Sequence, residues 1–413
     1  MNSPTPPSDP RRAARFTLGV LTFINLFNYL DRYVAPAVFE SIKRSELHPS
    51  DAQLGLLMTG FLLVYALTAP VFGALGDTRS RPRLLATGIA LWSIATALGG
   101  FARNYAQLFF ARGAVGVGEA AYGSIGPSLL ADHYPPARRG RAFATFSLAI
   151  PVGAALGYMV GGLVDHQFGW RRAFLVAGLP GLLLALLALR LRDAQRGGHD
   201  HLPPAAFPGW AVIGHLLANR AYRLTVLGYA AYTFALGGIA TWVSPFLQRV
   251  RGLPPATATV RFGAIVVVTG LVGTWVGGWL ADRLLVRTRQ AYLWMSAVAT
   301  LAAVPCLFLA LAAPDPRIYW SAMVAAQLLM FASTGPINSV IVNVVPAGIR
   351  TTAVACSVFA IHILGDVPSP FLVGVLSDHS SLAAGVLILP AAALVGGLIW
   401  VWAARTTPAS LPA

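Results

Sequence analysis

The stretch Leu54–Arg83, LGLLMTGFLLVYALTAPVFGALGDTRSRPR, decides the fold. Its first part, Leu54–Gly76, carries no charge. It is long enough to cross a hydrocarbon layer, which takes roughly 20 residues at 1.5 Å each. The run stops at Asp77, and Arg79, Arg81 and Arg83 follow at once. An apolar run closed by an arginine cluster is the pattern of a helix leaving the membrane on its positive side. Val20–Leu30, Arg83–Gly100 and Leu293–Ala313 are further apolar runs, and Gly, Pro and Arg clusters separate them.

Composition agrees. Of 413 residues, 56% are hydrophobic and 11% charged, and the mean hydropathy is +0.66. A soluble domain of this length needs far more polar surface over its core. The formal charge of +15 raises nucleic acid as a partner. However, the basic residues sit in short clusters between apolar runs and form no basic stripe on a soluble module, so no nucleic acid is expected. Lys43 is the sole lysine among 30 basic residues, an arginine skew that fits a GC-rich bacterial genome. Cys306 and Cys356 fall inside expected spans and read as neither a disulfide framework nor a metal site. No cofactor is expected.

The runs give about twelve spans, near 16–38, 53–75, 83–102, 105–132, 141–164 and 172–191, then 222–247, 259–281, 290–312, 317–344, 350–376 and 382–404. The first run follows Arg11, Arg12 and Arg15 as a signal peptide would. It continues through Asp31 and Arg32 without a small-residue cleavage site, so a retained helix is expected. Arginine placement puts both termini inside, in a bacterial inner membrane. The longest polar break, Arg192–Pro208, divides the chain. The expected parts are a tail over 1–15, a six-helix bundle over 16–192, a linker over 193–220, a second bundle over 221–405 and a tail over 406–413. Phe207, Trp210, Ile213 and Leu217 could line one face of a short interfacial helix in the linker.

A short ending recurs. Gly73-Ala-Leu-Gly-Asp77 closes the second span and Gly278-Trp-Leu-Ala-Asp282 the eighth. Gly162-Leu-Val-Asp165 closes the fifth and Gly374-Val-Leu-Ser-Asp378 the eleventh. Spans two and eight end inside, five and eleven outside. The signal therefore returns every three helices with reversed topology, as inverted repeats in secondary transporters do.

These residues resemble the major facilitator superfamily. Gly73–Arg83 is similar to its signature loop between helices two and three, with Thr78 where a basic residue is usual and Ser80 where Gly is usual. Arg112-Gly113-x-x-Gly116-x-Gly118-Glu119 resembles the motif of the fourth helix, and Gly169-Trp-Arg-Arg-x-Phe174 the start of the sixth. Within the superfamily, three stretches look like the Spinster group of lysolipid and sphingolipid transporters: Asn28-Tyr-Leu-Asp-Arg32, Arg112–Asp132 and His362-Ile-Leu-Gly-Asp366-Val-Pro-Ser-Pro370. The resemblance implies an all-α fold of twelve transmembrane helices in two pseudo-symmetric bundles. It also implies alternating access, with the first and fourth spans lining a central cavity.

Charges inside spans are costly and usually mark a transport path. Asp31, Glu119 and Asp366 are the acids placed deep in spans, with Arg32, Arg112 and His362 as companions. Asn25, Asn28, Tyr29 and Arg32 make one polar face of the first span. Arg112 and Glu119 share a face of the fourth, and Tyr122 lies a turn further. A guanidinium pair suits a phosphate or carboxylate. Arg32, Arg112, Asn28, Tyr29 and Tyr122 are therefore the candidate substrate contacts. Glu119 is the main candidate for the coupling proton, because burial favours its neutral form and a nearby arginine its anion. The expected mechanism has Glu119 and an anionic headgroup competing for Arg112, with Arg32 assisting. The alternative is a structural ion pair that pins the first span to the fourth. Asp31 is expected chiefly to pair with an arginine.

His362 and Asp366, four apart beside Gly365, Pro368 and Pro370, form either a second titrating or gating site or a settled hydrogen bond. By resemblance, Asp77 with Arg83 and Arg141 would latch the inner side, Asp77 meeting the positive N-terminal end of the eleventh helix. Asp282, at the matching repeat position, joins the gating set. Arg79, Arg81, Arg138 and Arg139 read mostly as positive-inside topology. No nucleophile motif, nucleotide loop or metal cluster supports an enzyme. The expectation is a monomeric, proton-coupled carrier in the lipid bilayer for an anionic amphiphile such as a lysophospholipid. The alternatives are a small organic anion, a sugar phosphate or a drug-like compound.

Overall fold

The computed structural model describes residues 10–196, 209–346 and 349–406. The tail over 406–413, most of that over 1–15, and Phe207 lie largely or wholly outside these. The described chain is helical: α1 (Pro10–Ala37), α2 (Phe39–Arg44), α3 (Asp51–Thr78), α4 (Arg81–Gly99), α5 (Tyr105–Asp132), α6 (Pro136–Ser147), α7 (Ala149–Phe168) and α8 (Trp170–Ala188) come first. Then follow α9 (Gly209–Ala218), α10 (Arg220–Arg249), α11 (Pro255–Leu284), α12 (Ala291–Ala312) and α13 (Pro316–Asn343). The last are α14 (Arg350–Ile361), a π-helical turn (His362–Asp366), α15 (Pro368–His379), α16 (Leu382–Gly385) and α17 (Ile388–Thr406). In hydrocarbon every backbone group must find its partner internally, and a helix does so within one segment.

Among the described residues, nine helices are long and apolar enough to cross a membrane. The other three expected spans coincide with α1, α4 and α5, which carry Asp31 and Arg32, Arg81 and Arg83, and Arg112 and Glu119. Helix α1 begins at Pro10, well before the expected residue 16. Proline suits a first helical turn, and the Ala and Arg residues after it are good helix formers.

Two compact units result, Met1–Ala35 with Val64–Pro203, and Pro36–Leu63 with Pro204–Ala413. They are not contiguous in sequence: the end of α1, all of α2 and the start of α3 belong to the second. In the first unit, α4 packs between α5 and α8 through small residues. A Cβ on Gly118 of α5 would meet Trp92 N at 2.6 Å, and one on Gly178 of α8 would meet Ala97 N at 2.8 Å. Gly153 and Gly157 of α7 bring it onto α1 at Tyr29 and Tyr33. Small residues let helices approach closely where no hydrophobic effect drives association. The second unit repeats the device, with Gly273 and Gly277 of α11 set on Leu328–Ala332 of α13. Large apolar side chains such as Phe110, Leu183 and Trp275 stay exposed, as lipid-facing positions require.

In α9, Val212 and Leu216 are buried, Ile213 is half-buried and Leu217 is exposed. The inward face is thus one residue out of step with the expected Ile213–Leu217 face.

Candidate functional site

The first unit gathers four of the expected charges. Asp31 and Arg32 are adjacent on α1, so their side chains leave it about 100° apart. Arg112 and Glu119 stand two turns apart on α5, about 10 Å along its axis. Each α1 charge therefore meets a different α5 partner. Arg32 donates through Nε at 3.2 Å and Nη2 at 2.7 Å to Glu119 Oε2. Asp31 Oδ1 lies 3.6 Å from Arg112 Nη1, and its Oδ2 accepts from Thr96 Oγ1 of α4 at 2.5 Å.

The two pairs differ in exposure. Asp31 and Arg112 are each 1% exposed, and Glu119 is fully buried, whereas the Arg32 side chain keeps 15% of its surface open. Arg32 also lies over two tyrosine rings, 5.0 Å from Tyr29 and 5.4 Å from Tyr65. Cation–π contact stabilises the guanidinium without using its donors. Asn28 is buried beside Glu119.

This alters the sequence reading in three ways. Glu119 pairs with Arg32, while Arg112 is held by Asp31. Arg112 has no open surface to offer a headgroup. Tyr122 is buried and donates to Leu21 O at 2.8 Å, tying α5 to α1. Reading the sequence also missed Thr96 and Tyr65. Each is a polar side chain within a strongly apolar span, which is the signal that could have found them.

In the second unit, His362 Nδ1 lies 2.9 Å from Asp366 Oδ1, with both side chains about one-fifth exposed. They begin and end the π-helical turn, whose wider bond runs from Val367 N to His362 O at 3.0 Å. Pro368 and Pro370 lack the N–H groups an α-helix needs here. Thr233 of α10 donates to Ile361 O at 3.1 Å. π-Turns inside helices are frequent at functional sites. Asn338 of α13 donates to Tyr229 Oη of α10 at 3.3 Å.

The expected inner gate residues behave differently. Asp77, Arg83 and Arg141 are exposed, and no hydrogen bond or ion pair among the described residues joins them. Asp282 is exposed and accepts from Tyr292 Oη at 2.8 Å. The buried arginine of that segment is Arg81, read from sequence as ordinary topology. Its Nη1 lies 2.5 Å from Asp132 and its Nε 2.7 Å from Asp193. Arg196 then caps the end of α3, donating to Gly76 O at 2.8 Å and Arg79 O at 2.6 Å.

Two helical units, one threaded by buried ion pairs and one with a helix broken by a π-helical turn at a titratable pair, have the features of a membrane transporter. Residues 21–367 match the model of the Major Facilitator Superfamily, and the chain belongs to that family. Within it the chain is of the Spinster type, a transporter and not an enzyme. Human protein spinster homolog 1 is 34% identical over 392 residues, covering 90% of this chain and 74% of the relative. Zebrafish (Danio rerio) protein spinster homolog 3 is 31% identical, covering 97% and 88%. A solved bacterial homolog of the human lysosomal transporter Spinster, inward-facing and unoccupied, matches the fold with a TM-score of 0.86. That match is at 24% identity and covers 97% of this chain and 98% of the other.

Proposed function

We propose that this transporter moves an anionic amphiphile, such as a lysophospholipid or sphingolipid-like molecule, by proton-coupled alternating access. The Arg32–Glu119 pair is the observation that carries the proposal. Arg32 is the partly open member of that pair, flanked by aromatic faces, and its fork suits a phosphate or carboxylate. An anion that takes Arg32 must displace Glu119. The carboxylate then has no surface in water and has lost its bonded cation, a state costing several kcal/mol. Taking up a proton removes that cost. Anion binding and protonation of Glu119 are thereby linked, one for one.

Asp31, Arg112 and Thr96 hold α1 and α5 in register behind this exchange. His362 and Asp366 serve as a second titrating pair on the π-helical turn. Asp77, Arg83, Arg141 and Asp282 act at the inner gate in another conformation. The chain works as a monomer in a bacterial inner membrane, with both termini inside. The alternative is a carrier of small organic anions, sugar phosphates or drug-like compounds, for which the same arginine would serve.

A competition series in proteoliposomes tests the proposal, varying headgroup and acyl length with and without a pH gradient. The expected result is saturable uptake that is driven by the gradient and inhibited only by ligands carrying both an anionic headgroup and a chain. Equal inhibition by headgroup alone would move the assignment to the small-anion alternative.

A further inference from the structure

The repeated glycine–aspartate ending supplies four aspartates, and among them Asp378 holds the backbone of another helix within the second unit. Its Oδ1 accepts from Asp51 N at 2.9 Å and its Oδ2 from Ala52 N at 2.8 Å. Both N–H groups belong to the first turn of α3, where the helix leaves its donors unsatisfied and carries partial positive charge. A carboxylate bridging two of them caps a helix that starts 327 residues away in sequence.

A second set of charges lies beside it. Arg249, at the end of α10, donates to Glu40 Oε1 of α2 through Nη2 at 2.6 Å and to Asp51 Oδ2 through Nη1 at 2.5 Å. Lys43 and Ser377 also bond the Asp51 carboxylate. Arg44 lies 3.8 Å from Glu40. Asp51 and Glu40 are nearly buried, at 2% and 5% exposed. Close packing accompanies the charges. A Cβ on Gly374 of α15 would meet Ala52 Cα at 2.9 Å, and one on Gly55 of α3 would meet Phe371 Cα at 2.9 Å.

Every residue named here lies in the second unit, although α2 and the start of α3 come from the N-terminal part of the chain. Elements of the first six spans are thus tied, by charge, to the ends of α10 and α15. In an alternating-access carrier such ties must break and re-form.

We propose that Asp378 and Arg249 form a latch on the outer face, the inverted-repeat counterpart of the Asp77 inner latch. Asp378 grips the N-terminus of α3 while Arg249 is clamped between Glu40 and Asp51. Both let go when that face opens. The idea rests on the alternating-access reading, but its test does not depend on the substrate.

Spin labels at His48→Cys and Pro254→Cys, in a background with Cys306 and Cys356 replaced by Ser, report the separation across the latch in nanodiscs. The parent protein should give one dominant short distance. Asp378→Ala and Arg249→Met should each add a longer component, raising the open population about tenfold or more. Wild-type distance distributions in the folded Asp378→Ala protein would overturn the latch. Arg249→Met leaves two nearly buried carboxylates short of a cation and can fail to fold, in which case Asp378→Ala alone decides. Flux of the wild-type protein in proteoliposomes separates the two ideas. Absence of any gradient-driven flux removes the transport proposal, whereas the distance change still reports on the latch.

Discussion

Arg32 and Glu119 share a single carboxylate oxygen: both Nε and Nη2 of the arginine donate to Oε2, at 3.2 and 2.7 Å. The arginine is therefore bound to one lobe of a carboxylate that has no other access to water. A fork bound to one oxygen is poised for exchange, since a phosphate or carboxylate ligand can offer it two.

Exchange at this pair predicts two separable losses. Glu119→Gln keeps a hydrogen-bonding group of the same size but cannot take up a proton. Uptake against a gradient should collapse, while substrate exchange at equal pH survives. Arg32→Lys keeps the charge and loses the fork, so apparent affinity should fall about tenfold, with coupling retained. Proteoliposome flux at matched and unmatched pH reads both. A Glu119→Gln protein that still concentrates substrate on a pH gradient would remove Glu119 from the coupling role.

The fold was largely legible because its signals are local. Apolar length, arginine clusters and the four glycine–aspartate endings lie within single segments, and lipid leaves a segment little choice but helix. The site was legible in its residues and not in its pairings. Sequence spacing places Arg112 and Glu119 on one face of α5. It does not say which of two adjacent α1 side chains turns toward which partner. Arg81 was missed for the same reason: an arginine in a basic loop looks ordinary until its partners from other segments are known. The division of the chain shows this most clearly. The linker marks the halves in sequence, yet Pro36–Leu63 packs with the second unit through charges on α10 and α15.

The Asp31–Arg112 pair should act structurally. Both groups are buried, so Asp31→Asn leaves a guanidinium without its counter-ion, and stability should drop by about 3–5 kcal/mol. Asp31→Asn with Arg112→Met removes both charges and should recover much of the loss. Thermal melts of the single and double variants form a double-mutant cycle. Additive losses would show that the two residues do not depend on one another.

Arg81 and Arg83 are two residues apart and should respond very differently. Arg81→Ala strands Asp132 and Asp193 and frees the segment after α8, with a cost of about 3–5 kcal/mol. Arg83 is exposed, and Arg83→Ala should leave the melting temperature within a degree or two of wild type, as surface substitutions do. Melting temperature and expression level check both. Equal effects would mean that the loop is held by its net charge and not by the buried ion pairs.

The π-helical turn on the eleventh span sets a packing constraint that a single methyl can probe. A Cβ on Gly365 would lie 2.7 Å from Ala230 O and 3.2 Å from Phe234 N, both backbone atoms of α10. Backbone cannot turn aside as a side chain can, so Gly365→Ala must push the two helices apart, at a cost of about 1–3 kcal/mol. It would also meet Thr233 Oγ1, which holds Ile361 O. Adding Thr233→Ala relieves that one contact and leaves the backbone clash in place, so rescue should be partial. The His362–Asp366 pair rides on this turn. Gly365→Ala should therefore lower transport turnover as well as the melting temperature, whereas Gly335→Ala on α13, where a Cβ meets nothing within 4 Å, should change neither. If Gly365→Ala melts and transports like wild type, close approach of α10 is not what fixes the π-helical turn.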